Sequence, residues 1–195
     1  MVRKIIKKLL KKYERRFDLQ MLTNGKILSN QIKGVREVSS LSQVEFSIFS
    51  QFGDDGIIQW LVQNIDIENK TFIEFGVEDY SESNTRFLMM NDNWSGFVLD
   101  GSVNNIEKLQ KENYYWKYDL NSKAIFITKS NINEIISAQK IIGDIGLLHI
   151  DLDGNDYYIW EAINVVNPVI VIIEYNSIFG CERQISIPYR DDFIR

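Results

Sequence analysis

At 195 residues, 45% hydrophobic and 25% charged, with two prolines and one cysteine, the chain has the length of about one domain at roughly 100–200 residues each and a composition that excludes disordered, collagen-like and disulfide-built proteins. Cys181, alone, supports neither an internal disulfide nor a zinc cluster, and the best apolar run, Val165 to Ile173, is interrupted by Pro168 and falls well short of the ~20 residues of a membrane span. The net charge of −5 is uneven: residues 1–16 hold eight of the 22 basic side chains and only one of the 27 acids, leaving 14 basic, 26 acidic and a net of −12 for the remainder, a balance that repels phosphate and argues against nucleic-acid binding.

In chain order, Val2, Ile5, Ile6, Leu9, Leu10, Tyr13 and Phe17 recur at helical spacing. They fall within roughly 140° of arc, and Arg3, Lys4, Lys7, Lys8, Lys11, Lys12, Arg15 and Arg16 fill the rest. Residues 1–17 therefore read as a basic amphipathic helix. It either lies on an anionic membrane surface or packs its stripe on the domain. No continuous apolar stretch follows the charges, so it is not a signal peptide. Residues 18–45 read as a linker or loosely structured lead-in, and residues 46–195 as one α/β domain.

Within that domain five β-rich runs alternate with helical patterns. The runs are Thr71–Phe75, Gly96–Asp100, Ile125–Thr128, Leu147–Asp153 and Pro168–Tyr175. Near-continuous apolar runs suit strands of a parallel sheet buried on both faces. The helices are expected at Gly56–Asn64, at Asn84–Asn91, after a Ser102 cap with Val103, Ile106 and Leu109 inward, after Ser130 or Asn131, and after Asn155 or Asp156, where Ile159, Ala162, Ile163 and Val166 follow helical spacing. This alternation predicts a doubly wound, Rossmann-like, mostly parallel sheet.

Ligands of such sheets bind outside the carboxyl ends of the strands. Those positions hold Glu74 and Gly76, then Asp100, Gly101 and Ser102, then Asp151 and Asp153, then Glu174 and Asn176. A nicotinamide-binding turn would carry further glycines where this chain has Glu78 and Ser81, and Glu78 and Asp79 would meet a pyrophosphate with negative charge. S-Adenosylmethionine, a phosphate-free cation, suits the acidic loop. Asp100, 24 residues beyond Gly76, is placed to accept hydrogen bonds from ribose hydroxyls.

The order FIEFGVEDYSESNTRFLMM, WSGFVLDGS, LLHIDLDGNDYYIWEAI, VIIEYNSIFG resembles class I S-adenosylmethionine-dependent methyltransferases. It is most similar to the FkbM-type enzymes and their relatives in surface-polysaccharide gene clusters. The approach Ser50-Gln51-Phe52-Gly53-Asp54-Asp55-Gly56 resembles that family's Ser-Gln-x-x-x-Asp-Gly lead-in. The resemblance covers residues 46 to about 190. It implies a cytoplasmic methyltransferase acting on a hydroxyl of a saccharide or glycolipid precursor. It assigns Glu74 and Gly76 to the methionine end of the cofactor, Asp100 with Gly101 and Ser102 to the ribose, and Asp119 to the neighbourhood of the adenine. Ser83 and Asn84 are expected to line the same pocket.

Asp151 and Asp153 are the catalytic candidates, as base or as groups orienting the acceptor hydroxyl. Period-two alternation puts them on one face with His149, which reads as a core residue or a base. Related sugar methyltransferases imply Mg²⁺ held by Asp151, Asp153 and Glu174. Tyr157, Tyr158 and Trp160 are either core or a platform for a sugar face. The family pattern continues with further strands after the fifth, so the chain is expected to be truncated at its C-terminus, with an unfinished sheet edge that invites pairing between copies. The alternatives are a non-catalytic binding or scaffold module with the same fold and a nicotinamide-dependent sugar oxidoreductase.

Overall fold

In the computed structural model, which describes residues 2–180 and 182–193, the chain divides into two compact units. One comprises Met1–Asp66 with Ser83–Asn93, the other Ile67–Glu82 with Trp94–Arg195. Cys181 lies outside the described residues, as do the side chains of Val2, Ile5, Leu9 and Leu10 and of all the basic residues before Arg16.

The first unit is helical: α1 (Val2–Gln31), α2 (Asp54–Asn64) and α3 (Arg86–Asp92). The helix expected over residues 1–17 continues to Gln31, so residues 18–31 are not a linker. The reason is a second apolar pattern. Met21, Leu22 and Leu28 pack on a core of Ile48, Phe49 and Phe87. Gly25 lets the helix approach closely, since a Cβ there would stand 2.4 Å from the Phe87 ring. Polar contacts fix the same face. The Ser29 hydroxyl donates to Gln59 Oε1 at 2.7 Å, and Arg86 Nη2 donates to Asp18 Oδ2 at 2.7 Å while its guanidinium stacks 4.0 Å over the Phe49 ring.

The Ser50–Gly56 motif is a clasp at the start of α2. The N–H groups of Ile48, Phe49 and Ser50 converge on Asp55 Oδ2 at 2.7, 2.7 and 2.8 Å, and the Ser50 hydroxyl donates to the same oxygen at 2.9 Å. Burial pushes the Asp55 carboxyl up despite these bonds. Asp55→Ala strands three buried amides and is expected to cost about 2–3 kcal/mol in chemical denaturation. Asp55→Asn, which keeps an acceptor in place, should recover at least half of that loss.

The second unit is a five-stranded sheet, β1 (Thr71–Phe75), β2 (Ser95–Asp100), β3 (Leu120–Ala124), β4 (Gly143–Ile150) and β5 (Val166–Ile173), in the order β3-β2-β1-β4-β5 with every pair parallel. Helices α4 (Val103–Gln110), α5 (Ile132–Ala138) and α6 (Asp156–Ala162) flank it. Ile73, Phe75, Phe97, Leu99, Leu148 and Ile150 cluster with Ile132, Ile135 and Ile136 of α5 and Ile159 of α6. This is the Rossmann-like α/β fold. Among the described residues no helix is long and apolar enough to cross a membrane.

Several local expectations are corrected. The third strand is Leu120–Ala124, not Ile125–Thr128. It is an edge strand with only Leu120 buried, so it lacks an apolar run, and Ile125 and Ile127 instead pack into the core just after it. The fourth strand ends at Ile150, because Asp153 takes a left-handed turn (φ 57°). Helix α6 stops at Ala162 and Val166 opens β5. Ser102 does cap α4, accepting the Asn105 N–H at 3.3 Å, but Val103 is 63% exposed rather than inward.

Candidate functional site

The chain leaves β1 toward β2 and leaves β4 toward β5 on the opposite side, so strand order reverses between β1 and β4. The carboxyl ends beside such a reversal form the ligand crevice of open parallel sheets. In this unit they carry the loop after Phe75, Asp100–Ser102, Ile125–Thr128, Asp151–Asp156 and Glu174.

The loop after β1 is tightly set. Gly76 has φ 73°, and a Cβ on it would stand 1.7 Å from the Asp151 carbonyl oxygen. Glu78, where a nicotinamide-binding turn would carry a second glycine, takes the left-handed conformation itself (φ 48°), as does the fully buried Tyr80 (φ 63°). The loop thus makes its turn without the glycine. The Ser81 hydroxyl donates to Asp79 at 2.6 Å and Lys108 lies 3.5 Å away. The Ser81 bond, aided by the Lys108 charge, holds the Asp79 carboxyl below its usual range, so the loop stays anionic.

Asp100 closes β2 as a pinned carboxylate. Its Oδ2 accepts the Glu78 N–H at 2.9 Å and its Oδ1 the Ser102 N–H at 2.7 Å. Oδ1 also accepts the Asn105 side-chain amide at 3.4 Å, and Oδ2 keeps a second lone-pair direction for another donor. Gly101 lies open beside it, and a Cβ there would sit 3.6 Å from the Phe126 ring. Phe126 is 41% exposed and follows β3 at the same end of the sheet.

Asp119 does not belong to this end. Its carbonyl accepts the Gly96 N–H at 2.8 Å at the start of β2, across the sheet from the crevice. The misplacement follows from the third strand beginning earlier than its apolar run. Ser83 and Asn84 fall in the first unit. The Ser83 hydroxyl accepts the N–H groups of Thr85 and Arg86 at 3.2 Å each, leading into α3.

Glu74 sits within β1 opposite His149 of β4, both buried, with Oε1 3.2 Å from Nδ1. It is an interior pair rather than a rim carboxylate. Asp151, one residue past β4, is half-buried, and its carboxyl is pushed up to about 7. Burial is the main cause, and the carboxylates of Glu174, Asp153 and Asp156 add to it while His149 opposes.

The oxygen cluster here is Asp151, Asp156 and Glu174, with one oxygen from each within 4.8 Å of the others. Asp153, expected as the third member, is replaced by Asp156, because the left-handed turn at Asp153 ends the strand alternation. Asp156 also organises that turn, accepting the N–H of Leu152 at 2.7 Å and of Gly154 at 2.8 Å. An all-oxygen set of this kind fits a hard cation such as Mg²⁺.

Tyr157 and Trp160 of α6 are exposed, while Tyr158 packs on Tyr157 and on Tyr189 with ring centres 5.3 and 5.5 Å apart. Sequence reasoning missed Phe126 and Asp156. The signal for Asp156 was its place just after the turn-forming Asp153-Gly154 pair. Phe126 was hidden by being read as strand. No family model, curated protein or solved structure matches the chain.

Proposed function

We propose that the second unit binds S-adenosylmethionine and transfers its methyl group to a hydroxyl of a saccharide or glycolipid precursor in the cytoplasm. The observation that carries this reading is Asp100. A carboxylate fixed by two main-chain amides at the end of β2 suits a ribose diol, and the anionic loop beside it disfavours a pyrophosphate and favours a sulfonium cation.

In the chemical step the acceptor oxygen attacks the methyl carbon in line, the carbon–sulfur bond breaks, and a neutral thioether leaves. The hydroxyl proton passes to Asp151, whose raised affinity for protons suits a base near neutral pH. Asp153, exposed at the turn after β4, would orient the acceptor. Alternatively, a divalent cation held by Asp151, Asp156 and Glu174 would acidify the hydroxyl itself, and Asp151 would then act as a ligand rather than as the base. Phe126 offers its face to the adenine.

The test is calorimetric titration of the full chain with S-adenosylmethionine, with NAD as control. We expect dissociation at or below roughly 100 μM, about −5.5 kcal/mol. Phe126→Ala should weaken it about tenfold while leaving the unfolding midpoint nearly unchanged, since the ring is 41% exposed. No binding by a folded sample would overturn the reading in favour of a non-catalytic module, in which the amide bonds of Asp100 are simply structural. Preference for NAD would turn it toward an oxidoreductase.

A further inference from the structure

Helix α1 has two differently directed halves. Residues 18–31 dock on the first unit through Met21, Leu22, Gly25, Leu28 and Ser29. Over residues 2–17 the apolar positions whose side chains are described, Ile6, Tyr13 and Phe17, are 50%, 67% and 60% exposed. At 100° per residue these three centre roughly 100° around the helix from the docked set. The stripe is therefore not a continuation of the docked face.

We propose that residues 2–17 bind the surface of an anionic membrane, with the helix lying along the headgroups and residues 18–31 fastening it to the first unit. Charge selects this occupant. The first 16 residues carry eight basic side chains and one acid, whereas the rest of the chain is acidic. An anionic surface complements the segment, and pairing with a second copy would bring two such clusters together. The helix is too polar to insert as a span, so adsorption is the mode. The inference rests on α1 alone and stands or falls separately from the methyltransferase reading.

The experiment is vesicle flotation of the full chain, comparing mixed phosphatidylglycerol–phosphatidylcholine vesicles with phosphatidylcholine alone. We expect roughly tenfold or greater preference for the anionic vesicles, falling severalfold as salt is raised. Replacing Lys7, Lys8, Lys11 and Lys12 together by Gln, or Tyr13 and Phe17 together by Ser, should each reduce binding about tenfold, with helical circular dichroism retained. No vesicle binding, or binding indifferent to lipid charge, overturns the proposal. So does a concentration-dependent dimer that disappears in the Tyr13/Phe17 variant, which would assign the stripe to a second copy.

Discussion

Gly76→Ala is expected to lower stability by about 4 kcal/mol, from about 1–2 kcal/mol for an L-residue in the left-handed region plus about 1–3 kcal/mol for overpacking. The overpacking is specific. The added Cβ would stand 1.7 Å from the Asp151 carbonyl oxygen, so the chain leaving β1 must move away from the end of β4. Gly143 supplies the control. It has φ 80° but nothing within 4 Å of a built Cβ, so Gly143→Ala should cost only the conformational part, about 1 kcal/mol. Urea unfolding of both variants checks the difference. Equal losses would show that the approach of Gly76 to Asp151 is not a real constraint.

Asp151→Asn should stabilise the fold and disable the chemistry together. In the folded chain the Asp151 carboxyl holds a proton up to about pH 7, against a usual value of 3.8. Between these limits the folded state binds a proton that the unfolded chain does not. The contribution of this group to stability is therefore greatest on the acid side and is lost as pH rises through about 7. Asn carries no such charge. After allowance for solvent screening at a half-buried group, the variant should gain about 2 kcal/mol over the parent at pH 8 and little at acidic pH. Thermal unfolding in the presence of a chelator at both pH values reads this directly, and a gain independent of pH would sink it. Under the proposed function, the same change should reduce methyl transfer about 10²–10⁴-fold. Such opposition between stability and activity is common at strained active sites.

The parts of the fold legible in the sequence were those where burial writes an apolar run. Phe72, Ile73 and Phe75 in β1, and Phe97, Val98 and Leu99 in β2, are all buried, and both strands stand close to where their runs place them. At the sheet edge the rule fails. Of β3 only Leu120 is buried, so the more apolar Ile125-Phe126-Ile127 attracts the assignment and displaces Asp119 to the wrong end of the sheet. The extension of α1 was readable in principle, because Met21, Leu22, Gly25, Leu28 and Ser29 share helical spacing. Gly25 falls in mid-pattern, where its lack of a side chain is what admits Phe87. The carboxylates were visible as residues at strand ends. Which three converge depends on the left-handed turn at Asp153, and alternation cannot anticipate a turn.

The left-handed residues of the loop after β1 have a bearing on ligand affinity. Glycine at positions 78 and 80 would sample both signs of φ in the free protein, and a ligand would have to freeze that freedom on arrival. Glu78 and Tyr80 have narrow left-handed wells, and Tyr80 is wholly buried. The entropy of ordering the loop is thus met during folding, before any ligand is present, and association can proceed onto a surface already in shape.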